Sequence, residues 1–238
     1  MKFKSFVAII LSAVILLGCS QKTESQKYEE SVDLMVENYP VSLSKQYTLR
    51  DMLEIFGDLE VTIDTSVYVV DDNGYIVVDT DGNYVEEYKL LEKVDLPSTS
   101  TDEDIQRIND LYVSISDKYT SSVDLTVGKS LNNGMEIKFW RDSVNEYGIP
   151  TEKIALDNTV TGIALFTENK DFSSVKLRGV PVNTITKSRE LCTIFSELRG
   201  YNFYDDENFL SVARGIDSII INYNTGYMRV SFNMLIRK

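Results

Sequence analysis

Three stretches of the chain place apolar residues at the spacing of an amphipathic helix. Positions i, i+3, i+4 and i+7 lie on one face of a helix, so each stretch predicts a helix with one buried stripe. Thr48 with Asp51, and Asn133 with Glu136, supply an N-cap oxygen and an acid three residues later. The stripes are Leu49, Met52, Leu53 and Phe56; Ile137, Trp140, Val144 and Tyr147; and Leu191, Ile194, Phe195 and Leu198, and the glycines that end the three helices are Gly57, Gly148 and Gly200.

The three stripes are expected to pack into the core, because β-rich segments flank each predicted helix. Phe56, Trp140 and Phe195 are the largest stripe residues, and we predict that all three are buried. The alternative for any one stripe is an exposed groove that binds a partner.

Between the predicted helices, runs rich in Val, Ile and Tyr predict strands. Asn73-Gly74 and Asp81-Gly82 are turn dipeptides, so Val67–Leu91 is predicted to be a β-meander. After a loop at Leu96–Thr101, the acids that follow Thr101 favour a short helix. The predicted strands are Glu60–Ile63, Val67–Val70, Tyr75–Val78, Tyr84–Leu91, Lys153–Leu156, Val160–Phe166, Phe209–Arg214, Ile216–Tyr223 and Tyr227–Leu235.

An internal similarity suggests a repeated unit. Ile108–Leu125 aligns without a gap on Val160–Leu177 at an offset of 52 residues, which predicts equivalent strand–loop–strand segments with Val123 and Val175 both buried. The sequence therefore predicts an α+β fold of repeated strand–helix–antiparallel-strand units, with helices packed on one face of antiparallel sheets. The three units are assigned to residues 31–120, which include the meander, 121–172 and 173–238.

Two strings in this pattern carry a family resemblance. Thr48–Gly57 (TLRDMLEIFG) and Asn145–Pro150 (NEYGIP) resemble the repeat of small bacterial lipoprotein domains of the β-lactamase-inhibitor-protein-like type. The resemblance covers Ser31–Lys238 and implies helices packed on a four-stranded antiparallel sheet. It carries over no inhibitory contact residue.

The N-terminus has the layout of an export signal. Lys2 and Lys4 precede the apolar stretch Phe6–Leu17, which is too short to cross a hydrocarbon core of about 30 Å as a helix. The stretch ends in Leu16-Leu17-Gly18-Cys19-Ser20, which resembles the lipobox of bacterial lipoproteins. That resemblance implies diacylglyceryl transfer to the sulfur of Cys19 and cleavage after Gly18. The alternative is a plain secretory signal with an incidental cysteine.

Composition narrows the function classes. The 238 residues contain no histidine, which excludes His-based triads and imidazole metal sites, and the formal net charge of −13 disfavours a nucleic-acid partner. Residues 19–30 are polar and non-periodic, and are predicted to be a flexible tether. With Cys19 lipidated, only Cys192 remains, and we expect it to be a buried thiol.

The motifs that resemble reactive sites all have simpler interpretations. Ser42 and Lys45 match the Ser-x-x-Lys spacing of serine acyl enzymes, but no Lys-Thr-Gly partner exists. The strings at Asp71–Gly74 and Asp79–Asn83 are rich in oxygen ligands like calcium loops, and turn chemistry also explains them. The acids Glu86, Glu87, Asp205, Asp206 and Glu207 favour solvated charge over acid–base chemistry. The 14 tyrosines favour packing within sheets over stacking on sugars.

These observations predict a lipid-anchored, non-catalytic binding or scaffolding protein on the extracytoplasmic side of a bacterial membrane, with no cofactor. Its partners would be the membrane, through the lipid on Cys19, and a protein or a glycan. An inhibitor of a secreted enzyme is the first alternative, and it predicts an exposed concave sheet face bearing Tyr and Trp. A carboxylate-dependent hydrolase is the second alternative, and it requires a pocket with two carboxyl groups about 5–10 Å apart.

Overall fold

A computed structural model describes residues 24–80, 82–119, 123–142, 153–215, 217–232 and 235. The predicted signal peptide, Cys19, and the predicted helix residues Val144, Tyr147 and Gly148 lie outside the described residues. Of the described residues, 44% are in strands and 21% in helices, so the fold is dominated by antiparallel β-structure.

The elements follow in chain order. The helices are α1 (Glu24–Ser31), α2 (Leu49–Phe56), α3 (Asp102–Ser116) and α4 (Ser188–Ile194), with 3-10 turns at Val182–Thr184 and Ser196–Leu198. The strands are β1 (Leu34–Val36), β2 (Tyr39–Val41), β3 (Tyr47–Thr48), β4 (Leu59–Tyr68), β5 (Glu86–Leu96), β6 (Val123–Ser130), β7 (Met135–Asp142), β8 (Thr159–Thr167), β9 (Val175–Leu177), β10 (Val180–Pro181), β11 (Asn202–Asp206), β12 (Phe209–Arg214), β13 (Asp217–Asn222) and β14 (Tyr227–Ser231).

The strands form two sheets. The main sheet has ten strands, in the order β11-β12-β13-β14-β8-β7-β6-β4-β5, with β3 also paired to β8. The small sheet has the order β10-β9-β1-β2. Every pairing between the strands is antiparallel.

One face of the main sheet is buried, and we call it the core face. In β7 the buried residues are Met135, Ile137 and Phe139, which alternate with Glu136, Lys138 and Trp140 on the opposite face. Cross-strand pairing continues the buried set into Ile163 and Leu165 of β8 and Met228 and Val230 of β14. Because side chains alternate along a strand, the intervening residues share the opposite face, which we call the open face.

Helix α2 covers part of the core face. Thr48 accepts a hydrogen bond from the backbone N–H of Asp51, and the Asp51 carboxylate accepts one from the backbone N–H of Thr48. This capping box satisfies two backbone donors that a helix start leaves without partners. The ring of Phe56 lies 4.9 Å from that of Tyr39 and 5.3 Å from that of Phe139, measured between centroids. The prediction of this helix, its cap and its buried stripe is confirmed.

An ion-pair network joins the small sheet to the segment around Phe195. Together with helix α2, we call these parts the covering layer. Arg178, between β9 and β10, contacts Asp33 at 2.9 Å and Glu197 at 3.1 Å, and its guanidinium lies 4.6 Å from the centroid of the Phe195 ring. Asp33 also accepts a hydrogen bond from the backbone N–H of Leu43. The network therefore joins segments that are far apart in the sequence.

The predicted α+β architecture of repeated units is wrong. Instead of three helices on small sheets, a single main sheet runs through all three assigned units, from β4 to β14. The four-stranded sheet implied by the family resemblance is likewise replaced by ten strands. The alignment at an offset of 52 residues does not reflect equivalent structure, because Ile108 lies in helix α3 and Val160 lies in strand β8. Val123 and Val175 are both buried, as expected.

The predicted helix through Ile137 and Trp140 is also wrong, since both residues lie in strand β7. The predicted burial of Trp140 is wrong as well, because its side chain is 40% exposed. Ile137 and Trp140 fit a helical spacing, but Met135, Ile137 and Phe139 fit the alternation of a strand. Asn133 belongs to the tight turn before β7, where Gly134 has a φ of 78°.

The other element predictions are met in part. The helix predicted from the third stripe is α4, which ends at Ile194, and Phe195 precedes a 3-10 turn. Leu191, Phe195 and Leu198 are nevertheless buried. Helix α1 occupies the end of the predicted tether. Helix α3 extends far beyond the short helix expected after Thr101. Lys153–Leu156 does not form a strand.

We expect Phe56→Ala to lower the free energy of unfolding by about 3–5 kcal/mol, the usual loss for a buried phenylalanine. Phe56 is only 1% exposed, so its removal leaves a cavity under the core face. Urea unfolding measures the loss. Trp140→Ala is the matched control, because it removes a larger ring that is 40% exposed and should cost clearly less. Equal losses would contradict the placement of Phe56 in the core.

Candidate functional site

The open face of the main sheet carries aromatic and cationic side chains at its centre. Five residues from three neighbouring strands form this surface, which we call the central patch. Lys138 and Arg229 are the cross-strand neighbours of Ala164, one on each side, and Phe166 lies next to Tyr227 in the same way. The members of the central patch are Lys138, Trp140, Phe166, Tyr227 and Arg229.

Ring contacts hold the central patch together. The guanidinium of Arg229 lies 3.5 Å from the centroid of the Trp140 ring, and the ammonium of Lys138 lies 5.2 Å from that of Phe166. The centroids of Phe166 and Tyr227 are 5.2 Å apart. Each cation is thus placed over an aromatic ring, where the negative face of the ring attracts it.

A glycine leaves room for the Trp140 ring to stack on the Arg229 side chain across strand β8. Gly162 of β8 lies directly opposite Trp140 on one side and Ser231 on the other. No side chain therefore rises between β7 and β14 at this position. A Cβ atom at Gly162 would also lie only 2.8 Å from the carbonyl oxygen of Val230, so the backbone requires glycine there.

Neither cation of the central patch forms a direct ion pair within the described residues, although the charge of Lys138 lowers the pKa of the Asp64 carboxyl. Ion pairs in that part of the chain involve Lys45, Arg50, Lys93, Arg107 and Arg178, but neither Lys138 nor Arg229. Their positive charge remains accessible to a ligand or a partner.

A polar cluster lies on the open face nearer the β5 edge. The Tyr88 hydroxyl donates a hydrogen bond to the Asp64 carboxylate at 2.5 Å, and Asp64 pairs directly with Asp124 across β4 and β6. Burial raises the pKa of the Asp64 carboxyl, and the nearby charge of Asp124 raises it further. Burial and the Asp64 carboxylate raise the pKa of Tyr88. The pair stabilises the junction between β4 and β5.

Beyond Thr65, the pairing of β4 among the described residues is with β5 alone, and the two strands continue as a ribbon. We call residues 66–80 and 82–90 the arm. Val70–Val77 (VDDNGYIV) and Val78–Val85 (VDTDGNYV) form two consecutive eight-residue repeats, identical at Val, Asp, Gly and Val.

Three valines close the arm by a ring of main-chain hydrogen bonds. Val69 donates to Val85, Val77 donates to Val69, and Val85 donates to Val77, with N to O distances of 2.8–2.9 Å. Isolated bridges join Val70 to Ile76 and Val78 to Tyr84. The predicted meander therefore exists as two short hairpins closed against the entering and leaving strands.

The turn chemistry of the arm accounts for its aspartates. The Asp71 carboxylate accepts hydrogen bonds from the backbone N–H groups of Asn73 and Tyr75, and that of Asp79 accepts one from Asn83. The N–H donors hold the pKa of the Asp71 carboxyl below its usual range. In the described ranges, no group of three or more His, Cys, Asp or Glu side chains is arranged to hold a metal ion.

The remaining residues singled out in the sequence are dispersed. The Ser42 hydroxyl donates to Asp33, whereas Lys45 pairs with Asp51 at 3.2 Å. Glu86 and Glu87 are exposed on β5, and the Asp205 carboxylate accepts a hydrogen bond from the backbone N–H of Ser188. Cys192 is half-buried against the core rather than fully buried.

Sequence reasoning missed the central patch, and it predicted the meander of the arm but not its exposed surface. The alternation of Met135, Ile137 and Phe139 would have placed Trp140 on the opposite side of a strand from the core. The two eight-residue repeats would have identified the arm.

A scan against protein-family models, a search of curated proteins and a search of solved structures found no match to this chain. Within the described ranges, no helix combines the length and apolar character needed to span a bilayer.

We expect Asp64→Asn to raise the melting temperature at pH 7. A carboxyl whose pKa is raised on folding stabilises the folded state below its unfolded pKa of about 4, and that stability is lost as pH rises through the folded value. Asparagine keeps an acceptor for the Tyr88 hydroxyl and carries no charge. The gain should therefore fade as pH falls below about 4. Asp124→Asn is the control, since Asp124 is exposed, and should give a smaller gain. A loss of stability at every pH would contradict the interpretation.

Trp140 provides an optical test of the central patch, since it is the only tryptophan. We expect iodide to quench its fluorescence more than caesium does, because Lys138 and Arg229 attract the anion and 40% of the side chain is exposed. Arg229→Gln should reduce the difference between the two ions. Emission that neither ion quenches would place Trp140 in the core.

Proposed function

We propose that the protein is a lipid-anchored, non-catalytic binding protein on the extracytoplasmic side of a bacterial membrane, and that it binds a protein partner through the central patch. The observation that carries this proposal is the stack of Trp140 on Arg229 on the open face. Tryptophan, tyrosine and arginine dominate the binding energy of protein interfaces. The central patch combines all three with a lysine.

The sequence of the N-terminus supports the anchor. Lys2 and Lys4, the apolar stretch Phe6–Leu17 and the Leu-x-Gly-Cys string ending at Cys19 follow one another as in bacterial lipoproteins. A chain acylated at Cys19 by two or three fatty acids would bind the membrane stably, whereas one chain alone binds marginally. The acidic body would then stand away from anionic lipid, leaving its surfaces available to a partner.

Inhibition of a secreted enzyme is a second candidate. Trp140 and Tyr227 on the open face are the kind of surface that this function requires. An activity assay distinguishes this function from simple binding, because an enzyme inhibited by the protein would lose activity.

In cells of the native host, we expect p-benzoylphenylalanine at position 140 of the full-length protein to form one discrete crosslinked species on irradiation. The same residue at position 113 is the control, because Val113 is exposed on α3, away from the central patch, and should give none. Cys19→Ala should abolish fatty-acid labelling and release both the protein and the crosslinked species from the membrane fraction.

Two results would overturn the proposal. The same bands from positions 140 and 113, or none from position 140, would reject the central patch as the binding site. Fatty-acid labelling that survives Cys19→Ala would reject the anchor.

A further inference from the structure

The arm exposes an unusual amount of apolar surface. Of the twelve large apolar side chains that are exposed in the described part of the chain, eight lie in the arm. Soluble proteins usually expose such residues singly, and their concentration in one segment indicates a contact surface. The eight residues are Tyr68, Val70, Tyr75, Ile76, Val78, Tyr84, Tyr88 and Leu90, with exposed fractions between 43% and 73%.

Apart from the bond of Tyr88 to Asp64 and the contact between the Tyr68 and Tyr84 rings, the arm is held together mainly by its main chain. The main-chain ring through Val69, Val77 and Val85 and the two aspartate turns give the arm its shape, and the side chains of those three valines are half-buried. The more exposed side chains, such as Tyr75 at 73%, point away from this small centre. Their retention therefore calls for an explanation other than folding.

The charge of the arm selects the chemistry of its occupant. The sequence contains no Lys or Arg between Arg50 and Lys89. The exposed acids of this stretch include Asp71, Asp72 and Asp79 in the hairpins and Glu86 and Glu87 on the ribbon. An occupant of this surface must therefore carry cations next to apolar groups, and the net charge of −13 would attract it from a distance.

We propose that the arm is a docking surface for a basic polypeptide segment in which Lys or Arg alternates with apolar residues. The aliphatic side chains Val70, Ile76 and Val78 favour a polypeptide over a sugar, because sugars stack on flat aromatic rings. An anionic membrane and a second acidic arm are disfavoured by repulsion between like charges. This surface lies in other strands than the central patch and has the opposite charge.

The test uses the full-length protein in detergent and a fluorescein-labelled peptide of eight residues in which Lys alternates with Val and Tyr. Fluorescence anisotropy should show saturable binding that weakens as salt rises, since salt screens exposed charges. A peptide with Glu in place of Lys should bind at least about tenfold more weakly.

Two sets of variants separate charge from apolar contact. Asp72→Asn with Glu86→Gln and Glu87→Gln removes three charges without touching the turn aspartates. Val70→Thr with Tyr75→Thr and Val78→Thr removes apolar surface and keeps strand-forming residues. Each triple variant should weaken binding of the Lys peptide by about tenfold or more.

Each set has a matched control on other elements. Glu54→Gln, Asp117→Asn and Glu168→Gln remove the same charge from exposed sites elsewhere. Tyr28→Thr, Val113→Thr and Tyr204→Thr remove exposed apolar groups elsewhere. Both controls should bind within about twofold of the natural protein, and Trp140 emission should confirm that every variant is folded.

The proposal is overturned if the apolar variant binds as tightly as the natural protein, because the attraction would then be unspecific charge alone. It is equally overturned if the matched controls lose affinity to the same extent. Binding of chitotriose or anionic vesicles without the Lys peptide, or arm-dependent self-association in sedimentation, would assign a different occupant. The arm variants should leave the crosslink from position 140 unchanged, so this proposal can fail while that of the central patch stands.

Discussion

The main sheet buries only one of its two faces, and this constraint organises the whole chain. Ten strands must each present apolar side chains to the same side, so Ile137, Ile163 and Val230 meet on the core face although they come from distant parts of the sequence. The small sheet, α2 and the segment around Phe195 supply the cover. The open face follows from the same alternation, because the residues between two core residues lie on the opposite side of the sheet, where most of them contact solvent.

The covering layer depends on contacts between segments far apart in the chain. Arg178 joins Asp33 and Glu197, and β1 pairs with β9. Arg178 lies in the turn between β9 and β10 with a φ of 43°, a backbone conformation that non-glycine residues rarely adopt. Removing Arg178 from this partly buried network would leave the carboxylates of Asp33 and Glu197 without their cation, which costs more than the network contributes when intact. The covering layer is therefore held in one arrangement by ion pairs as well as by apolar contacts, and it closes the core from one side.

Elements whose determining residues lie close together in the sequence could be predicted, whereas features determined by strand pairing in the sheet could not. Helix α2 was predictable because its cap, its stripe and its closing glycine lie within ten residues, Thr48–Gly57. The turns of the arm were predictable for the same reason. The sequence predicts a helix in place of strand β7 because Ile137 and Trp140 fit the helical period, whereas Met135, Ile137 and Phe139 fit that of a strand, and the pattern alone gives no preference when the segment is short. Which side of β7 faces the core depends on its neighbours β6 and β8, so the exposure of Trp140 required the topology. The likeness between Ile108–Leu125 and Val160–Leu177 reflects similar apolar spacing in a helix and a strand.

The central patch and the arm carry opposite charge on one acidic chain, and the structure shows how both persist. Arg229 and Lys138 lie over aromatic rings, which attract cations without neutralising them as a carboxylate would. The arm holds Asp71 and Asp79 on main-chain turns, where both carboxylates gain backbone donors. Between the two surfaces, Tyr88 bonds to Asp64 and fixes the base of the arm to the open face. Aromatic rings keep the cations of one surface available and backbone amides keep the anions of the other in place, so neither surface needs the other for its stability and each is free to meet its own partner.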